Sequence, residues 1–287
     1  MTERSRALSV RTTIVAATLL LALTPVAAAR ESNPGSGPPR HVGTVTEPAI
    51  SATGPGCSTT PTSCTNPTGK FASFDISWVD NDRGVYYLAD RSNNAVDMID
   101  ASDGAFLGFL GQGEFAGVIT GAPTRSGPNG VVTDNQHNVW VGDGLIGGTG
   151  HSSLKEFDPN TGVLLANIDN GGAARADELA FAPVGGGRIL IGNPNEPTNS
   201  FVTLVNARTQ GIIGKVVYDE PASTSMPPSL PPAGHGFSTN FGGMQHGLEQ
   251  PAFLNGHFFL NVPATIQNPG GEIDVLNPNK AEITVEG

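Results

Sequence analysis

The chain has 287 residues, only 14% of them charged, and carries a formal net charge of −11. An acidic surface so poor in lysine and arginine excludes nucleic acid and anionic membrane as partners. With 38 glycines, 23 prolines and 6% aromatics, the composition points to many turns and short strands, and no segment after the N-terminal stretch shows sustained helical periodicity.

In chain order, Arg4, Arg6 and Arg11 precede an apolar run from Ile14 to Val26 that ends in Ala27-Ala28-Ala29. A basic start, a short apolar stretch and a small-residue end make residues 1–29 a secretory signal peptide. Thr18, Thr24 and Pro25 disfavour a permanent membrane span, and no later segment is long or apolar enough for one. The mature protein is therefore expected to be secreted and free of the membrane after signal removal. Residues 30–70 are rich in Gly, Pro, Ser and Thr and read as an irregular leader. Cys57 and Cys64, the only two cysteines, flank "STTPTS" there, and export favours a local disulfide between them. No histidine lies near them in sequence, which disfavours a two-cysteine metal site.

From residue 71 to 287 one pattern recurs. "SGPNGVVTDNQHNVWVGDG" (Ser126–Gly144) holds two apolar runs, Gly130–Thr133 and Val139–Val141, joined by the polar turn Asp134–Asn138, and reads as a β-hairpin. Equivalent copies start at Phe74, Asp177 and Leu248, each with four strand-like runs. In the first these are Ile76–Val79, Val85–Leu88, Ala95–Ile99 and Ala105–Leu110. The turn between third and fourth runs recurs as "DASDG", "DPNTG", "NARTQG" and "NPNK", Asx-initiated turn chemistry. Four strands per unit of about 40–50 residues predict an all-β chain, a β-propeller of four-stranded antiparallel blades. Four blades are visible, so the ring is expected to be incomplete. A Pro/Gly/Ser-rich insertion, residues 221–247, precedes the last blade and reads as a solvated loop or a lid.

The unit "PNGVVTDNQHNVWVGD" resembles an NHL-type repeat, and the repeated region resembles the six-bladed propellers of the SMP-30/gluconolactonase-like family. In a blade, the start of strand one and the end of strand two share one face of the disc. The first position reads Asp75, Asn129, Glu178 and then Glu249 or Gln250; the second reads Asp90, Asp143, Asn193 and Asn261. Most are oxygen donors suited to Ca2+ or another divalent cation at a channel mouth. Asp and Asn also cap turns at strand ends, and that reading stays open beside the first.

What the resemblance implies is more specific. Asn129 in "PNG" and Glu249 in "EQPAF" would be metal ligands, with Glu178 or Asp75 adding charge. The ion would polarise a lactone carbonyl and lower the pKa of bound water, with Asp143 as the base. The alternative is a non-catalytic secreted propeller that binds a small-molecule ligand or a protein. A lyase-type or redox propeller is the third class, and no cofactor motif for it is present. His151, His235, His246 and His257 lack a zinc spacing, "GTGHS" is no nucleophile elbow, and Gly185–Gly187 sits in a hairpin turn rather than a phosphate loop.

Overall fold

Asx residues open the turns that separate the strands. Between third and fourth strands, Asp100 Oδ1 accepts the Ser102 N–H at 2.8 Å, Asp158 Oδ1 that of Asn160 at 2.9 Å, Asn206 Oδ1 that of Arg208 at 3.0 Å and Asn277 Oδ1 that of Asn279 at 2.9 Å. The same device closes two turns between first and second strands. Asp80 Oδ1 receives the N–H groups of Asp82 and Arg83, each at 3.1 Å, and Asp134 Oδ1 receives those of Gln136 and Asn138 at 2.8 and 3.0 Å. The fourth copy uses Asn255-Gly256 instead, with φ of 51° and 84°, a two-residue loop whose twist matches paired strands.

The computed structural model describes residues 43–46, 50–51, 65–66, 72–197, 200–218, 248–262, 272–279 and 285–286. Residues 1–29, expected from the sequence to be a signal peptide, Cys57 and Cys64, expected to form a disulfide, and residues 221–247 with His235 and His246 lie outside the described residues. A short ladder pairs Ile50–Ser51 (β1) with Thr65–Asn66 (β2). Four antiparallel four-stranded sheets follow, arranged as four blades of a β-propeller. Blade one holds Ser77–Asp80 (β3), Val85–Asp90 (β4), Ala95–Asp100 (β5) and Phe106–Leu110 (β6). Blade two holds Val131–Thr133 (β7), Val139–Asp143 (β8), Ser153–Phe157 (β9) and Leu164–Asp169 (β10). Blade three holds Leu179–Ala182 (β11), Arg188–Asn193 (β12), Ser200–Asn206 (β13) and Gly211–Tyr218 (β14). Blade four holds Glu249–Leu254 (β15), His257–Val262 (β16), Glu272–Leu276 (β17) and Val285–Glu286 (β18). Among the described residues the helical elements are two 3-10 turns, Pro123–Arg125 and Ile146–Gly148.

Alternation along the strands divides the apolar residues between neighbouring blades. Val131, Val139 and Val141 join Tyr87, Val96 and Leu110 in a core between blades one and two. Their sequence neighbours Val132 and Trp140 pack the other way, against Leu179, Ile189 and Ile191 of blade three. Ala180 and Leu190 in turn meet Phe258 and Leu260 of blade four. A strand sandwiched between two cores buries both faces, which is why β8 is buried at every position and apolar without alternation over Val139–Val141. The outer strand β10 has one face free and alternates instead.

Candidate functional site at the start of the inner strands

Backbone hydrogen bonds define the repeat register where strand one begins. The N–H groups of Asp75, Asn129 and Asp177 donate to the carbonyls of Ala89, Gly142 and Gly192 at 2.9, 2.8 and 2.8 Å. Those three residues return their own N–H groups to the next residues, Ile76, Gly130 and Glu178, at 3.0 Å each. Two residues of strand one thus oppose one of strand two, a β-bulge repeated in three blades. In blade four the pairing moves from Glu249↔Asn261 to Ala252↔Phe259, so Gln250 and Pro251 oppose Leu260. The first bulge position is therefore Asp75, Asn129, Asp177 and Gln250. This corrects the expected alignment in blade three, where Glu178 lies one residue past the position, as Gly130 does in blade two, and in blade four it selects Gln250 over the alternative Glu249, which lies one before it.

A guanidinium occupies the space between the first two of these residues. Asn129 Oδ1 accepts Arg91 Nε at 3.0 Å and Nη2 at 2.7 Å, and Arg91 Nη2 also pairs with Asp75 Oδ2. The Asn129 amide donates to the Ala176 carbonyl at 2.8 Å, which ties blade two to the entry of blade three. Burial, reinforced by the like charge of Arg175, lowers the Arg91 pKa to about 10, so the group stays cationic at neutral pH. Arg175 Nε donates to Asp177 Oδ2 at 2.6 Å. Glu178 accepts the Gln250 N–H across the blade boundary. Burial, aided by the charges of Glu249 and Asp177, pushes its carboxyl up to about 8.

The residues that end strand two serve other ends. Asp90 Oδ1 accepts the Ser92 N–H at 2.8 Å, its other oxygen receives the Asn93 amide, and burial raises its pKa to about 6. Asp143 is fully buried: Oδ1 accepts the N–H groups of Ala116 and Gly144 at 3.0 and 2.8 Å, and Oδ2 pairs with Lys155. Asn193 bonds Ser152 Oγ at 3.0 Å and Asn170 at 2.8 Å. Asn261 is exposed opposite Glu249.

The structure thus brings Asp75 and Asn129 together, and separately Glu178 with Glu249, while Asp143 is held in a buried pair of its own. A divalent ion needs several converging oxygens. The Asn129 oxygen already receives two N–H groups and an Asp75 oxygen a third, so this pair fits a guanidinium rather than an ion. Arg91, Arg175 and Lys155 were not among the candidates, because a reading for oxygen donors passes over cations, and Asp177 was missed by the one-residue slip to Glu178. Their signal is positional: Arg91 follows the strand-two end Asp90 directly, and Arg175 stands two residues before Asp177.

No protein-family model matches the chain, and no curated protein sequence does. Among solved structures the chain is similar to a hydrazine synthase of Kuenenia stuttgartiensis, with 11% identity, a TM-score of 0.39, and 75% of this chain and 70% of that one covered. It is similar to a candidate gluconolactonase with 16% identity, TM-score 0.39 and coverage of 74% and 62%. A luciferin-regenerating enzyme gives 11%, 0.41, 74% and 61%. The chain spans less than two thirds of the length of the last two. At such identities these likenesses say nothing about chemistry.

Proposed function

We propose that this chain is a secreted binding propeller that holds a polar small molecule or a protein segment at the channel mouth, with no resident divalent ion there and no covalent step. The observation that carries the reading is the Arg91 guanidinium set between Asp75 and Asn129, where the NHL- and gluconolactonase-like resemblance would put a metal. With Arg91 and Arg175 fixed by their acidic partners and Glu178 largely protonated at neutral pH, the mouth offers donors and acceptors of both signs at defined places. Fixed, prepaired groups lose little freedom on binding.

The metal-dependent lactonase is the second reading, and the Glu178–Glu249 pair favours it. A carboxyl that burial holds protonated, as Glu178 is, beside a second carboxyl is the kind of pair that acid and base roles use. Thermal melts of the purified chain with calcium and with chelator decide between them. The binding-propeller reading expects no calcium shift and no lactone hydrolysis. A stabilisation of about 2.7 kcal/mol at a hundredfold excess of calcium over its Kd, lost in Asn129→Ala and Glu178→Ala, would establish the lactonase-type ion site instead.

A further inference from the structure

At the opposite ends of the inner strands, the turns of blades one and two bring three metal-ligating side chains together. Asp80 ends β3, Asp82 follows it in the turn, and His137 sits in the Asp134–Asn138 turn of the next blade. One ligand atom from each lies within 4.8 Å of the others. They are 57 residues apart along the chain at the widest, between Asp80 and His137, and meet because the turns of adjacent blades emerge on one face.

The set is held ready by its own turns. Both backbone N–H groups that bond Asp80 take Oδ1, which leaves Oδ2 facing His137 Nδ1 at 2.7 Å. Asp134 clamps the turn that carries His137 through the Gln136 and Asn138 N–H groups. Asp80 is buried, His137 half-buried and Asp82 exposed, so the cluster opens outward. It opens onto a cavity of about 320 Å³ lined also by Trp78, Asn81 and Asn135.

We propose that Asp80, Asp82 and His137 form a binding site for a divalent transition-metal ion, with the cavity leaving a coordination position open to water or a ligand. The imidazole nitrogen decides the class of ion. Calcium and magnesium take oxygen ligands, whereas one nitrogen with two carboxylates suits zinc and its neighbours. Three protein ligands with an open fourth position is the arrangement of accessible zinc sites. An ion bound here replaces the hydrogen bond between His137 and Asp80 and bridges two blades at the rim.

The test is zinc titration of the chelator-treated full chain by calorimetry, with nickel quenching of tryptophan emission as a second readout. The chain has two tryptophans: Trp78 lines the cavity, and Trp140 is fully buried in the core between blades two and three. The variants are Asp82→Asn, at an exposed position, and His137→Gly, which suits the backbone φ of 65° there. The wild-type chain is expected to bind one equivalent of zinc at this site, at least tenfold more weakly in either variant, with nickel quenching abolished by Trp78→Phe. Asp75→Asn, at the other ends of the strands, is expected to leave this binding unchanged. Absence of zinc binding by the wild-type chain, or binding that both variants retain at full strength, would overturn the assignment.

Discussion

At the scale of single residues, Asp143 and Lys155 show what the strand-two carboxylates do. Their side chains are 0% and 1% exposed, and Lys155 Nζ also lies 5.5 Å from the centre of the Phe115 ring. Breaking a buried ion pair from one side strands a charge, at about 3–5 kcal/mol. Lys155→Met is therefore expected to lower unfolding stability by that amount, and Asp143→Asn added to it to restore part of the loss, both read by urea denaturation. Full-strength folding of the single variant would show that the pair contributes nothing. The sequence marked Asp143 correctly as a polar strand end, but its partner was not legible. Lys155 lies in β9, and only the ladder that sets β9 beside β8 brings the two together. Arg91 was hidden for a related reason, since its acceptors Asp75 and Asn129 lie in different blades.

At the scale of strands and turns, legibility divides along local and non-local hydrogen bonding. The Asx turns were readable because a side chain and the N–H it accepts stand two or three residues apart in sequence. The bulges were not, because an extra residue in strand one is defined only by the carbonyl opposite, and one residue of slip exchanges Asp177 for Glu178. Glycine pays a visible part in that geometry. A Cβ on Gly142, the residue opposite the Asn129–Gly130 bulge, would stand 2.5 Å from the Asp177 carbonyl oxygen and 2.8 Å from that of Ala176. Both obstacles are backbone of the next blade, which cannot rotate away. Gly142→Ala is expected to destabilise by roughly 1–3 kcal/mol, as overpacking does. A melting temperature equal to that of the unchanged chain would mean that the blades separate easily at this end.

At the scale of the whole molecule, the blades were predictable because alternation along each strand already sorts its apolar residues to two sides. What the pattern did not show is how many carboxyls those interfaces bury. Burial raises the pKa of Glu178 to about 8 and of Asp90 to about 6, and it also raises Glu156 and Asp274. A carboxyl with a raised folded pKa binds its proton more tightly folded than unfolded, so its contribution is full below the unfolded pKa and falls as pH rises. For Asp90 the fall runs from 3.8 to about 6, and for Glu178 from 4.5 to about 8. Asp100, Asp158 and Asp169 are lowered by hydrogen bonds and act with the opposite sign, but only at and below the ordinary carboxyl range. The net charge of −11 at pH 7 adds self-repulsion in the same direction as the buried groups. The protein is therefore expected to be more stable near about pH 5 than near about pH 8.5, with a slope of at most about 1.4 kcal/mol per pH unit for each proton involved. Glu178→Gln should flatten the upper part of that curve, between about 6 and 8, and leave the Asp90 part below it intact. Denaturant titrations of both chains across the range measure this directly. A wild-type stability that is flat between about 6 and 8, and unchanged in slope by Glu178→Gln, would mean that Glu178 is already ionised there, which would return the Glu178–Glu249 pair to the ion-binding reading.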